Sequence, residues 1–550
     1  MAWYDEAIFY HIYPLGMTGA PKQNSYGNPE HRLNTLLPLI PQIKDLGCNA
    51  IYIGPLFESV GHGYETTDYK KLDSRLGTNE DLTTFVKECH NHGIRVVLDG
   101  VFNHTGRDFF AFKDIRENRE FSSYKDWYCN VNFYGNNQYN DGFSYDNWGG
   151  YDLLAKLNQK NSEVQNYISD VIRFWVKEFD IDGIRLDAAD VLDFGYMQML
   201  RRVANEVKPD FWLMGEVIHG DYIRWVNGDT LHCVTNYHLH KALYSGHNDR
   251  NYFEIAHTVK RLYEMGGNTP GGLKLYNFVD NHDVERIYTK LNNKRHFVPV
   301  HVLLYTLPGV PSVYYGSEFG IEGQKQQGSD DSLRPAISCE RYRELNCDNP
   351  HANLISRLGK IRRESLALSY GDYKELLLKN EQYAFSRNYN GQSVIVTVNN
   401  SDNDSIMTLP AGNAKEYVGG ISGVKITLND GCITVNVGAN SGEIWLPSDF
   451  SENEVQPIDL NLKKAEETFG KPALEEIIKT PEPVKEDSVV QETCRVETAV
   501  KTFEEMTVEE LQQTILEKMR RNGPVTEQMK RDVYENVYHN SLVTWVKSFN

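Results

Sequence analysis

The chain has no long apolar run. No stretch approaches the about 20 residues that a membrane-spanning helix needs, and the first residues, Met1-Ala-Trp-Tyr-Asp-Glu, lack the basic and apolar regions of a secretory leader. A soluble, cytoplasmic protein with no membrane partner is therefore expected. Cysteine is sparse: eight residues, scattered singly, with no CxxC pair. Neither a zinc site nor a disulfide framework is implied. Basic residues are outnumbered by acidic ones, 57 to 76, for a net charge of -19. That balance disfavours nucleic acid or an anionic surface as a partner. What the chain does have is length, 550 residues with 40% hydrophobic, and tyrosine, 33 of them. The length suits a barrel-sized domain plus smaller pieces. Amphipathic rings in such numbers suit sugar faces, although they also serve as ordinary boundary residues.

The apolar pattern organises the chain. Short runs at 8–13, 50–53, 94–98, 183–186, 211–214, 233–235, 275–279 and 311–315 alternate with helix-length amphipathic segments such as 33–46, 82–91, 164–179 and 197–207. Eight strand–helix units predict an α/β protein built on a parallel (β/α)8 TIM barrel, formed by residues 1–104 and 156–368. The interval 105–155, rich in Asn, Tyr, Gly and Asp, is too long for one helix and reads as a small inserted domain. From 369 to 449 short β-rich runs separated by Asn-Gly, Asn-Asp and Gly-Gly turns predict an antiparallel β-sandwich. Residues 450–505 are acidic and linker-like. A helical extension, 506–550, begins with a capping box at Thr507 and Glu510, ends its first helix near Arg521, and carries Met529, Val533, Val537, Leu542, Trp545 and Phe549 on a second. It is read as packing back on the chain, with self-association or a partner contact as the alternative.

The chemistry collects where these strands end. In Asp182-Gly-Ile-Arg185-Leu-Asp187, strand spacing sets Ile184 and Leu186 on one face and a cation beside a carboxylate on the other. An arginine there keeps the carboxylate ionised and oriented, which suits a nucleophile. Alone, the same pattern serves a structural ion pair. The third strand ends in Asp99-Gly-Val-Phe-Asn103-His104, and the fifth runs into Gly215-Glu216. A glutamate directly after Phe-Trp-Leu-Met is partly desolvated, which raises its pKa and suits a general acid. The seventh ends in Asp280-Asn-His282-Asp283. Three acids after strands four, five and seven converge on one barrel mouth, as retaining glycosidases require of a carboxylate and a carboxylic acid about 5–5.5 Å apart.

These segments resemble the four signature regions of the α-amylase family, glycoside hydrolase family 13, in order and placement over about residues 5–450. The resemblance implies that Asp187 is the nucleophile, Glu216 the general acid/base and Asp283 the transition-state stabiliser. It implies that Arg185 orients Asp187, that His104 and His282 bind hydroxyls of the sugar being attacked, and that Tyr64 of Gly61-His-Gly-Tyr64 stacks beneath it. Where calcium-dependent members carry a Lys-His pair this chain has Asp190-Val191, so no cofactor is expected and structural calcium is not favoured, although Asn103 remains. Leu154-Ala-Lys-Leu-Asn158 resembles the MPKLN-type region of the neopullulanase and cyclomaltodextrinase group. The barrel begins by residue 8 without that group's usual N-terminal β-domain, so neither cyclodextrin preference nor dimerisation through that domain is carried over.

The resemblance thus implies a retaining hydrolase of α-1,4 bonds, with α-1,6 bonds as a further target, in starch-derived oligosaccharides. A transglycosylase, in which a sugar hydroxyl replaces water, is the alternative within the family. A non-catalytic amylase-like binding protein is the alternative outside catalysis, and the three acids argue against it.

Overall fold

The computed structural model describes residues 2–266, 273–412, 414–448, 457–458, 511–512, 514–516 and 518. Two compact units are distinguished, one comprising residues 1–326 and 330–479, the other 327–329 and 480–550. In the second, the described residues from 511 to 518 are helical, inside the helix expected at 507–521. The rest of that helix, the second helix and nearly all of the acidic segment lie outside the described residues.

The first unit is built on an eight-stranded parallel sheet of β1 (Phe9–Ile12), β2 (Ala50–Ile53), β3 (Arg95–Gly100), β4 (Gly183–Leu186), β5 (Trp212–Gly215), β6 (Cys233–Val234), β7 (Tyr276–Phe278) and β8 (Val310–Tyr314). The order is 6-5-4-3-2-1-8-7, and a parallel bridge between Thr235 and Tyr276 joins the two ends, closing the barrel. Each expected run became one strand. The period-2 pattern explains why: Phe9, Tyr52, Val97, Trp212, Met214 and Phe278 fill the interior, while Tyr10, Ile51, Leu98, Ile184, Leu186 and Leu213 pack outward under the helices.

Helices form where the apolar spacing turns to 3.6. Ser162–Phe179 follows an Asn161 cap whose side chain accepts from the Glu163 and Val164 N–H groups, and it buries Val164, Ile168, Val171, Ile172 and Trp175. Phe194–Val207 is capped likewise by Asp193. The expected helix at 33–46 is different in its first half, where Arg32–Leu39 is a 3-10 helix and only Ile40–Asp45 is α. Pro38 lies inside the first segment and Pro41 in the first turn of the second, each removing a backbone donor.

The insertion after β3 contains the helix Phe110–Asn118 and a three-stranded antiparallel sheet. In that sheet His104–Thr105 pairs with Lys156 and Ala155, so the insertion clamps the end of β3 from above. C-terminal to the barrel, a six-stranded antiparallel sheet faces a two-stranded one across a core of Ile395, Met407, Leu409, Tyr417, Ile433, Val435 and Trp445. Among the described residues no helix is long and apolar enough to cross a membrane.

Candidate active site

The mouth is assembled around one arginine. Arg185 points inward from β4, in register with Asp99 of β3 and Met214 of β5. Its Nη1 donates to Asp99 Oδ1 and to Asp187 Oδ1, both at 2.9 Å, and its Nη2 pairs with Glu216 Oε2 at 2.7 Å. Asp99 is buried and held on its other oxygen by the hydroxyls of Tyr52 (2.8 Å) and Tyr64 (3.2 Å). Its room comes from Gly54, where a Cβ would stand 2.3 Å from that of Asp99.

Asp187 and Glu216 are thus gripped by adjacent nitrogens of a single guanidinium. The chain turns sharply between them. Ala188, which follows Asp187, adopts φ 46 and ψ 44, a left-handed conformation that costs a non-glycine residue energy. In that conformation its N–H donates to Glu216 Oε2 at 3.1 Å. The strain is spent on aiming one acid beside the other.

Asp283 closes the constellation from β7. Its Oδ2 lies 3.0 Å from His282 Nε2, and its Oδ1 accepts from Arg334 Nη2 at 2.9 Å. Burial works against its charge, but His282 and Arg334 outweigh it and hold the carboxyl well below the usual carboxylate range. Asp187 goes the other way, against the expectation that Arg185 keeps it ionised. Burial pushes it up, and the carboxylates of Glu216, Asp99 and Asp283 add to the push against the pull of Arg185. Asp280, the other acid at this strand end, turns away from the mouth and spends its oxygens on the Ile287 N–H and the Ser317 hydroxyl.

Tyr64 is carried by a loop that Glu65 braces, its buried carboxylate accepting from the N–H groups of Gly61 and Gly63. The Tyr64 ring lies parallel to that of His282, 5.8 Å between centroids. His104 is buried with both ring nitrogens engaged: Nε2 donates to the Tyr64 carbonyl and Nδ1 accepts from the Asn103 amide, each at 3.2 Å. Burial lowers its pKa to about 4, so it is neutral at physiological pH. Both ring nitrogens are thus occupied within the protein.

All seven singled-out residues therefore meet at one mouth: Asp187, Glu216, Asp283, Arg185, His104, His282 and Tyr64. Two others were missed. Asp99 follows from the same alternation that sets Arg185 inward. Arg334 sits on the loop after β8, and no sequence signal ties it to Asp283, 51 positions away. Asn103 Oδ1 already accepts from Gln159 Nε2 at 3.1 Å, while Gln159 Oε1 accepts from the Asp193 N–H at 2.7 Å, and the apolar Val191 stands exposed.

A closed (β/α)8 barrel with paired acids at its C-terminal rim and an antiparallel domain behind it defines a class of glycoside hydrolases. The chain belongs to the α-amylase family. Residues 33–352 match the alpha amylase catalytic domain and 371–445 the alpha-amylase C-terminal domain. It is 32% identical over 439 residues to a cyclomaltodextrinase of Thermoanaerobacter pseudethanolicus, covering 76% of this chain and 74% of that one. It is 30% identical to neopullulanase 2 of Thermoactinomyces vulgaris, covering 80% and 78%. Among solved structures, the debranching enzyme from Nostoc punctiforme aligns with a TM-score of 0.69 at 26% identity, over 81% of this chain and 98% of that one.

Proposed function

We propose that this glycoside hydrolase cleaves α-1,4 bonds of maltodextrins, with α-1,6 bonds as a further target, by double displacement with retention. The observation that carries the reading is the shared grip of Arg185 on Asp187 and Glu216. Two carboxyls on one guanidinium suit the short separation of about 5–5.5 Å used in retention, rather than the about 6.5–9.5 Å that leaves room for water in inversion.

Arg185 occupies Asp187 Oδ1 and leaves Oδ2 to attack C1 of the glucosyl unit. Glu216 Oε2 is held by Arg185 and the Ala188 N–H, which leaves Oε1, 3.4 Å from the Tyr237 hydroxyl, to give its proton to the leaving oxygen. As that bond breaks, positive charge spreads over C1 and the ring oxygen, and the ionised Asp283 opposes it. Glu216 then takes a proton from water, whose oxygen replaces Asp187 at C1 and restores the α configuration. No step needs a metal. The relatives named cyclomaltodextrinase and neopullulanase support the glucan class.

Asp187→Asn tests the reading. Turnover on maltotetraose is expected to fall by at least about 10⁴-fold, the scale of losing a nucleophile. Proton NMR of the wild-type reaction should show the α anomer first. Initial β product, or normal turnover by the variant, would refute the assignment.

A further inference from the structure

Between the inserted domain and the mouth stands an aromatic that the mechanism does not use. Trp148 is 39% exposed, and it joins no hydrophobic cluster among the described residues. Its ring lies 6.0 Å from that of His104. It is presented by a tight hairpin in which Trp148 and Tyr151 are cross-strand partners around Gly149 and Gly150. Both glycines have positive φ, 64° and 84°, the pairing that a two-residue hairpin turn requires.

The hairpin is braced, not loose. Asn147 Oδ1 accepts from the Gly150 N–H at 3.0 Å, and Asn147 Nδ2 donates to Asp152 Oδ1 at 2.6 Å. Asp152 Oδ2 accepts from the Gln138 N–H at 2.8 Å, and its carbonyl accepts from the Tyr145 hydroxyl. A rigid turn that holds a large indole half in water, beside a site and outside every core, leaves that indole's apolar face for a ligand.

Resting on the α-glucan reading of the same mouth, we propose that Trp148 is the stacking platform for the glucosyl unit adjoining the one attacked, on its non-reducing side. Its neighbour is His104, assigned to the attacked sugar, rather than Glu216, which faces the leaving group. The pyranose face, a patch of C–H groups, lies on the ring while its hydroxyls stay in water. Trp148 therefore sets specificity for chains with two or more units before the scissile bond.

The test uses the full chain and two chromogenic substrates that differ only at that position. Nitrophenol released directly from 4-nitrophenyl α-maltoside reports cleavage with the adjoining position filled; from 4-nitrophenyl α-glucoside, with it empty. Trp148→Ala should lower kcat/KM for the maltoside about tenfold and change that for the glucoside less than about twofold, while Trp148→Phe keeps most of the maltoside activity. Tenfold is about 1.4 kcal/mol, within reach of one stacked face. Calorimetric titration of Asp187→Asn with maltotetraose supplies a readout independent of turnover, and adding Trp148→Ala should raise its Kd about tenfold. An equal fall on both substrates, no fall on either, or an unchanged Kd would overturn the proposal. A wild-type chain that binds maltotetraose and hydrolyses neither chromogenic substrate would overturn only the hydrolase reading, because the Kd comparison would still stand.

Discussion

Arg334 is the residue whose replacement says most about the mouth. Arg334→Met keeps much of the volume and removes the charge. It deletes three hydrogen bonds, from Nε to the His282 carbonyl at 3.0 Å and from Nη2 to Asp283 Oδ1 at 2.9 Å and Asp330 Oδ2 at 3.2 Å, and it uncovers the Tyr13 ring. Breaking a fully buried pair costs about 3–5 kcal/mol. Here the Asp283 side chain is 34% exposed and water screens it, so a loss of about 1–2 kcal/mol is expected. The sign with pH follows from Asp283, whose folded pKa lies below the ordinary value. Its contribution is present above the unfolded pKa of about 3.9 and is lost as pH falls through the lower folded pKa. Without Arg334 the folded pKa rises, so the stability gap between variant and wild type is largest near neutrality and narrows in acid. Activity follows the same carboxylate. Removing a group that itself stabilises the transition state costs about 10²–10³ in kcat; Arg334 acts through Asp283, so a fall of about tenfold to a hundredfold is expected. Losing this cation also leaves the neighbouring carboxylates less compensated, so the acid limb of the pH profile, set by the raised Asp187, should move to higher pH. Profiles of kcat/KM with 4-nitrophenyl α-maltoside measure both effects, and Arg334→Lys should recover part of each. A wild-type acid limb with wild-type kcat would refute the argument that this guanidinium holds Asp283 charged.

Two further outcomes are expected away from the chemistry. Gln159→Leu strands the Asn103 side-chain oxygen and the Asp193 N–H, at about 1–3 kcal/mol each, so thermal unfolding should begin several degrees lower; an unchanged Tm would mean that other groups or water satisfy them. Because Gln159 occupies the oxygen that a cation near Asn103 would need, EDTA should change activity less than about twofold, and a collapse of activity on chelation would reveal a calcium site that this hydrogen bond does not exclude.

The barrel was legible because each strand alternates between two cores, and that alternation survives in the sequence as Ile184 and Leu186 against Arg185. The carboxylates were legible because strand ends pass from apolar runs straight into acids. What escaped shares a physical reason. The sandwich strands Lys374–Leu378 and Ser405–Pro410 each pair on one side only and are partly exposed, so their apolar periodicity is weak. The 3-10 segment Arg32–Leu39 has helical spacing but prolines that deny it α bonding. Arg334 is a single arginine in a loop, and only tertiary closure brings it to Asp283.

The charge count at the mouth shows why these parts form one device. Asp99, Asp187, Glu216 and Asp283 face the two guanidiniums of Arg185 and Arg334. Two guanidiniums do not neutralise four carboxylates, three of which are largely shielded from water. One escape is to bind a proton, and burial with the repulsion of the nearby carboxylates drives Asp187 toward that. The other escape is to bind positive charge, which a sugar supplies only while its C1–O bond is breaking. Asp283, kept ionised by His282 and Arg334, ensures that the remaining negative charge is in place at that moment. In the proposed mechanism, the same imbalance that is unfavourable in the resting protein favours the oxocarbenium-like state over the bound sugar, and that difference between the two states lowers the barrier.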